Sequence, residues 1–108
     1  MGASTYIHIA PNNPAMINGE SLTFTLTYDG DAPTGIKWFV DDVEQSGETS
    51  ATFVYTPVYT ATNTTHIVKA TTTTPALTSE TETVVVINVG YYYYHMLVDL
   101  DAIKKAVE

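Results

Sequence analysis

Few residues of this chain could do chemistry, and their spacing limits what that chemistry could be. Five carboxylates, Asp29, Asp31, Asp41, Asp42 and Glu44, lie close together in sequence, and clustered oxygen ligands are what a calcium ion takes. Their spacing fits no EF-hand loop, and aspartate serves a solvated turn equally well, so no metal site is assigned. His8, His66 and His95 are far apart and none has a partner at metal-ligand spacing; His8 and His66 are expected to be hydrogen-bonded structural residues. The chain has no cysteine and no arginine, so disulfides, thiolate metal sites and a guanidinium clamp for an anionic substrate are excluded. It also lacks a glycine-rich phosphate loop and a Gly-x-Ser-x-Gly elbow. The expectation is a protein that is not an enzyme and needs no cofactor.

Two further residues invite a functional reading and are better explained otherwise. Trp38 could stack on a sugar, but between Ile36 and Val40 on an alternating run it belongs in a core. Asn63-Thr64-Thr65 matches the N-glycosylation acceptor pattern, which carries meaning only in a secreted chain.

At 108 residues the chain is long enough for one domain and one modest core. Its formal net charge of -8 argues against nucleic acid or an anionic membrane as partner, because phosphate recognition needs clustered Lys and Arg. No apolar run approaches the ~20 residues of a membrane span, and Met1 is followed by no signal-like segment. If Met1 is the native start, synthesis in the cytosol is expected.

The remaining positions describe the scaffold. Nineteen threonines and eight tyrosines, with Val and Ile supplying most of the aliphatic content, suit pleated, half-buried surfaces. Alternation is clearest from Ser21 to Tyr28, where Leu22, Phe24, Leu26 and Tyr28 share one face and threonines the other. Strands are likewise expected over Thr5–Ile9, Ile36–Val40, Val43–Gln45, Ala51–Thr56, His66–Thr71 and Glu82–Val89. A hairpin at Asp41-Asp42 and a turn at Pro11–Pro14 are expected between them. Asp29–Gly35, Gly47–Ser50, Pro57–Thr64 and Thr72–Ser79 read as polar loops, the threonine run at the start of the last being a solvated strand end rather than a linker. Short strands at this spacing, with no crossover helix between any two, point to an antiparallel β-sandwich.

The residues now carry a family likeness. Gly19-Glu20, Trp38 followed by Val40-Asp41-Asp42, Phe53-Tyr55-Thr56-Pro57 and the run from His66 to Thr71 resemble the bacterial and phage immunoglobulin-like modules, those related to the PKD and bacterial Ig-like groups above all. The likeness covers about residues 4 to 89. It implies an immunoglobulin-like sandwich in which Trp38 packs between two sheets, and it places His66 where a tyrosine is common.

After residue 89 the texture changes. Tyr91, Tyr92, Tyr93 and Tyr94 precede His95, Met96, Leu97 and Val98, and the stretch from Asp99 to Glu108 reads as a short helix with Leu100, Ile103 and Val107 on one face. A helix so short is marginal alone in water and must dock on something. Four consecutive tyrosines on a strand would send two rings to each side, more than one sandwich can bury. The segment could cap its own sandwich or grip another molecule; the second reading assigns Tyr91–Tyr94, Met96, Leu97, Leu100, Ile103 and Val107 to partner binding, for which tyrosine is well suited.

The expected organisation is a sandwich over residues 1–89 and a tyrosine-rich arm with a short helix over 90–108. The resemblance implies a non-catalytic structural or attachment protein, such as a phage capsid decoration protein made in the host cytoplasm and carried in the virion. Its partner would be a capsid or other virion protein, or a second copy of itself. The alternative is a spacer or carbohydrate-binding module of a bacterial cell-surface adhesin or secreted enzyme.

Overall fold

The computed structural model describes residues 2–88. These form nine strands: β1 (Ile7–Ala10), β2 (Ala15–Ile17), β3 (Leu22–Tyr28), β4 (Lys37–Val40), β5 (Val43–Glu44), β6 (Thr52–Tyr55), β7 (Thr64–Thr73), β8 (Ala76–Thr78) and β9 (Glu82–Ile87). One sheet runs β1-β3-β6; the other runs β2-β9-β7-β4-β5, with β8 paired to β7. All pairings are antiparallel except β2 with β9. Two such sheets closed over one core make an all-β sandwich, with the strand order of an immunoglobulin-like domain. The expected C-terminal helix lies outside the described residues, among which there is no helix.

The alternation read from sequence decides which face each strand buries. Ile7 and Ile9, Phe24 and Leu26, Phe53 and Tyr55 line one inner face; Trp38, Val68, Ala70, Val84 and Val86 line the other. Trp38 is completely buried, its ring stacked on Phe53 at 5.4 Å between centroids and tilted against Phe24 at 6.4 Å. Its indole N–H donates to the Ser50 carbonyl at 2.8 Å, so the polar edge of the core's largest side chain is satisfied. Each fully buried large side chain contributes about 1.5–3 kcal/mol relative to exposure.

Several boundaries differ from the sequence expectation, each for a physical reason. The opening strand begins at Ile7 rather than Thr5 because the Thr5 and Tyr6 amides donate to the Asp29 carboxylate. In Thr72–Ser79 the threonine run holds the end of β7, as expected, but Ala76–Thr78, expected as loop, form β8 in a hairpin with it. β2 was not expected: three residues after Pro14 give too little pattern to read. β7 begins at Thr64, and β9 ends at Ile87. Gly35, at φ +72, closes the turn entering β4, where a Cβ would collide with the Thr73 side chain.

Candidate functional site

The titratable residues singled out in the sequence are distributed to separate places. Asp29 accepts the Thr5 hydroxyl and the Thr5 and Tyr6 amides, and these bonds, the hydroxyl foremost, hold its carboxyl down at about 2. Asp31 is tied to the N-terminal segment through its backbone, accepting from the Ser4 hydroxyl and donating to the Gly2 carbonyl. Asp42 pairs with Lys69 at 3.2 Å and Glu44 with Lys37 at 3.6 Å. Among the described residues no group of three or more His, Asp or Glu comes together to hold a metal ion.

Both strand histidines are fixed by carboxylates. His8 Nδ1 lies 2.9 Å from Glu80 Oε2, and Glu80 Oε1 accepts the Ile9 amide. Burial pushes the Glu80 carboxyl up, but the bonds from His8 and Ile9 outweigh it and leave it below the usual carboxylate range. This cluster lines a broad bowl of about 620 Å³ beside β1. Asn13 in this bowl also holds strands, donating its amide to Glu82 and accepting from the Thr83 amide.

The second cluster is different in kind. Asp41 and Asp42 both adopt left-handed backbone, φ +51 and +66, as a two-residue type I′ hairpin requires. Asp41 is thereby turned toward β7: its amide donates to the Ile67 carbonyl, its Oδ1 accepts the Ile67 amide at 2.9 Å, and its Oδ2 meets His66 Nδ1 at 2.7 Å. The His66 bond is the main cause of a lowered Asp41 carboxyl. His66 Nε2 is 3.1 Å from the Thr64 hydroxyl, and its ring meets Tyr55 edge-on at 6.1 Å.

These residues wall a cleft of about 280 Å³ opening between the β4–β5 hairpin and the end of β6. Val40, Asp41 and Gln45 line it from the hairpin, and Tyr55, Pro57 and Val58 from β6 and the loop that follows. Tyr55 is only 6% exposed, yet its hydroxyl has no hydrogen-bond partner among the described residues. Burial first, and the Asp41 charge second, push this phenol up to about 12, so it is a neutral donor facing the cleft. Val58 and Tyr59 stand exposed on the adjoining loop. Such a cleft can hold an apolar group and offer it one oriented O–H donor. Asp41, His66 and the Thr64 hydroxyl stand in hydrogen-bonded series, but Thr64 is not among the residues that line the cleft.

The partner-binding residues expected from sequence, Tyr91–Tyr94, Met96, Leu97, Leu100, Ile103 and Val107, lie outside the described residues. Sequence reasoning missed the cleft, because Asp41, Tyr55 and His66 meet only through tertiary pairing. The readable signal was the Asp-Asp hairpin, whose first residue must turn its side chain aside.

No family model matches the sequence, and no curated relative matches it. Among solved structures, the fibronectin(III)-like modules of CbhA from Clostridium thermocellum are similar, at 17% identity over 76% of this chain and 94% of that one, with a TM-score of 0.47.

Proposed function

We propose that this chain is a non-catalytic immunoglobulin-like attachment module, docking through the residues that follow Asn88. One observation carries the reading: the described core closes with residues from Ile7 to Val86, both sheets represented, before the tyrosine run begins. Tyr91–Tyr94 come after the last of these core residues in sequence, and their rings suit the centre of an interface. The histidine and carboxylate groups that could have served catalysis are spent in fastening strands, which supports a structural role. The more specific reading is a virion component of the capsid-decoration type, with a capsid protein as partner. It is supported by the sequence resemblance and by an acidic, threonine-rich exterior suited to projecting into solvent. A spacer module of a longer bacterial surface protein is the second reading, favoured by the parallel pairing of β2, the second strand, with β9, the last described one.

The test is removal of residues 90–108, followed by thermal melting and by co-sedimentation with capsids assembled from the source of the chain. The shortened chain is expected to melt cooperatively within a few degrees of the full chain and to lose co-sedimentation. A fall in Tm of more than about 10 °C, which is more than 1 kcal/mol for a domain of this size, would assign the segment to the fold. Undiminished co-sedimentation would assign docking to the sandwich itself.

A further inference from the structure

The two sheets are unequal beside the cleft. Trp38 on β4 stacks under Phe53 on β6, so β6 overlies β4, and β5, the next strand out, has nothing above it in the β1-β3-β6 sheet. Val43 records this. It pairs with the inward-facing Val40 and so shares its face, yet it is 64% exposed. An apolar side chain thus points into the sandwich at a position that no strand covers.

The neighbouring edge of β6 has its hydrogen-bonding groups open. Leu26 N donates to Ala51 O, which sets the antiparallel register: Ala51, Phe53 and Tyr55 bond to β3, while Thr52 and Val54 turn their backbone groups away from it. The Thr52 amide is taken by the Ser50 hydroxyl. The Thr52 carbonyl and both groups of Val54 have no partner among the described residues.

The edges at β1, β2 and β5 are blunted. On β1 the Ile9 amide is taken by Glu80. β2 is three residues long, follows Pro14, and has its Ile17 carbonyl taken by the Glu20 amide. β5 is two residues long and presents Glu44. β6 contains neither charge nor proline, and Val54 is 56% exposed; these are the devices that ordinarily protect an edge.

We propose that the outer edge of β6 is a strand-addition site for an extended segment of a partner protein, aliphatic where it turns inward over Val43 and basic at its flanks. Three backbone hydrogen bonds to Thr52 and Val54 would position the segment, and an aliphatic side chain would cover Val43 and enter the cleft at Val40. The basic preference follows from charge. Asp41 lines the cleft, Asp42, Glu44 and Glu48 follow it on the β4–β5 hairpin and the loop leading to β6, and the two lysines paired with this hairpin, Lys37 and Lys69, already face Glu44 and Asp42. The proposal is independent of the docking role given to the residues after Asn88.

The probe is a soluble synthetic peptide of seven residues alternating valine and threonine between terminal lysines, titrated into the full chain and followed by amide chemical shifts. Shifts are expected to concentrate at Val43, Thr52, Val54 and Thr56. Val54→Pro removes the donor at a position facing away from β3, so the fold is retained, and binding is expected to weaken at least tenfold with little change in Tm. Val43→Glu gives the same loss by an unrelated route. Equal binding by both variants, shifts centred elsewhere, or no binding at millimolar peptide each overturn the proposal. Hydrogen exchange of the peptide-free chain separates the other occupants. The Val54 amide is expected to exchange rapidly; protection at every concentration would give the slot to the chain's own remaining residues, and protection only at high concentration would give it to a second copy.

Discussion

Raising the pH toward 12 should cost the sandwich the stability that the protonated Tyr55 contributes, and Tyr55→Phe should abolish that loss. The phenol is held at about 12 in the folded chain against 10.0 for an ordinary tyrosine, by burial and by the facing Asp41 carboxylate. A group whose folded value is raised binds its proton more tightly when folded. The stability it contributes is therefore fully present below pH 10 and is lost as pH rises toward 12. Two units would correspond to about 3 kcal/mol in full. The hydroxyl opens onto the cleft, where water screens it, so about 1 kcal/mol is the expected loss across the window. Urea unfolding of the parent and of Tyr55→Phe at pH 8, 10 and 11.5 reads the effect as a difference between two midpoints, in which the other tyrosines and the lysines cancel. At pH 8 the two should nearly coincide, because the deleted hydroxyl has no partner among the described residues. The parent should then fall behind the variant as pH rises. Parallel loss in both proteins would show that Tyr55 ionises freely and that neither burial nor the Asp41 charge holds its proton.

Two further outcomes follow from named contacts. Trp38→Phe keeps the aromatic stack but leaves the Ser50 carbonyl without its donor; a loss of about 1–3 kcal/mol is expected in chemical denaturation, and a neutral result would mean that water replaces the indole N–H. On the acid side, Asp29, Asp41 and Glu80 all have lowered carboxyls. The stability they supply is present above the ordinary carboxylate range and drains as pH falls through their folded values. Tm should thus decline steadily below about pH 4, with Asp41→Asn flattening part of the slope, and an unchanged slope in that variant would deny the Asp41–His66 bond its role.

The sandwich was readable because its longest patterns are strictly alternating. Leu22, Phe24 and Leu26 had only one way to share a buried face, and Trp38 between Ile36 and Val40 had to be internal. β2 and β8 were not readable, since three residues carry no period, and β2 exists only because β9, some seventy positions later, offers it an edge. The cleft was unreadable for the same reason: Asp41 and His66 are 25 residues apart and meet across the β4–β7 pairing. The open edge did leave a trace. Only Gln45 to Ala51 separate β5 from β6, too few residues to pass between sheets and also build a covering strand. What the tyrosine run contacts falls outside the described residues.

The pairing of β2 with β9 has a mechanical meaning. These strands run in the same direction, and the chain enters before one and leaves after the other. Once β1 is pulled from β3, tension applied at the two ends would load the β2–β9 bonds lengthwise, so that Val85 to Pro14 and Asn18 to Ile87 must rupture together rather than unzip one by one. A domain wired in this way resists being drawn out, a useful property in any tether that holds one body against another under drag.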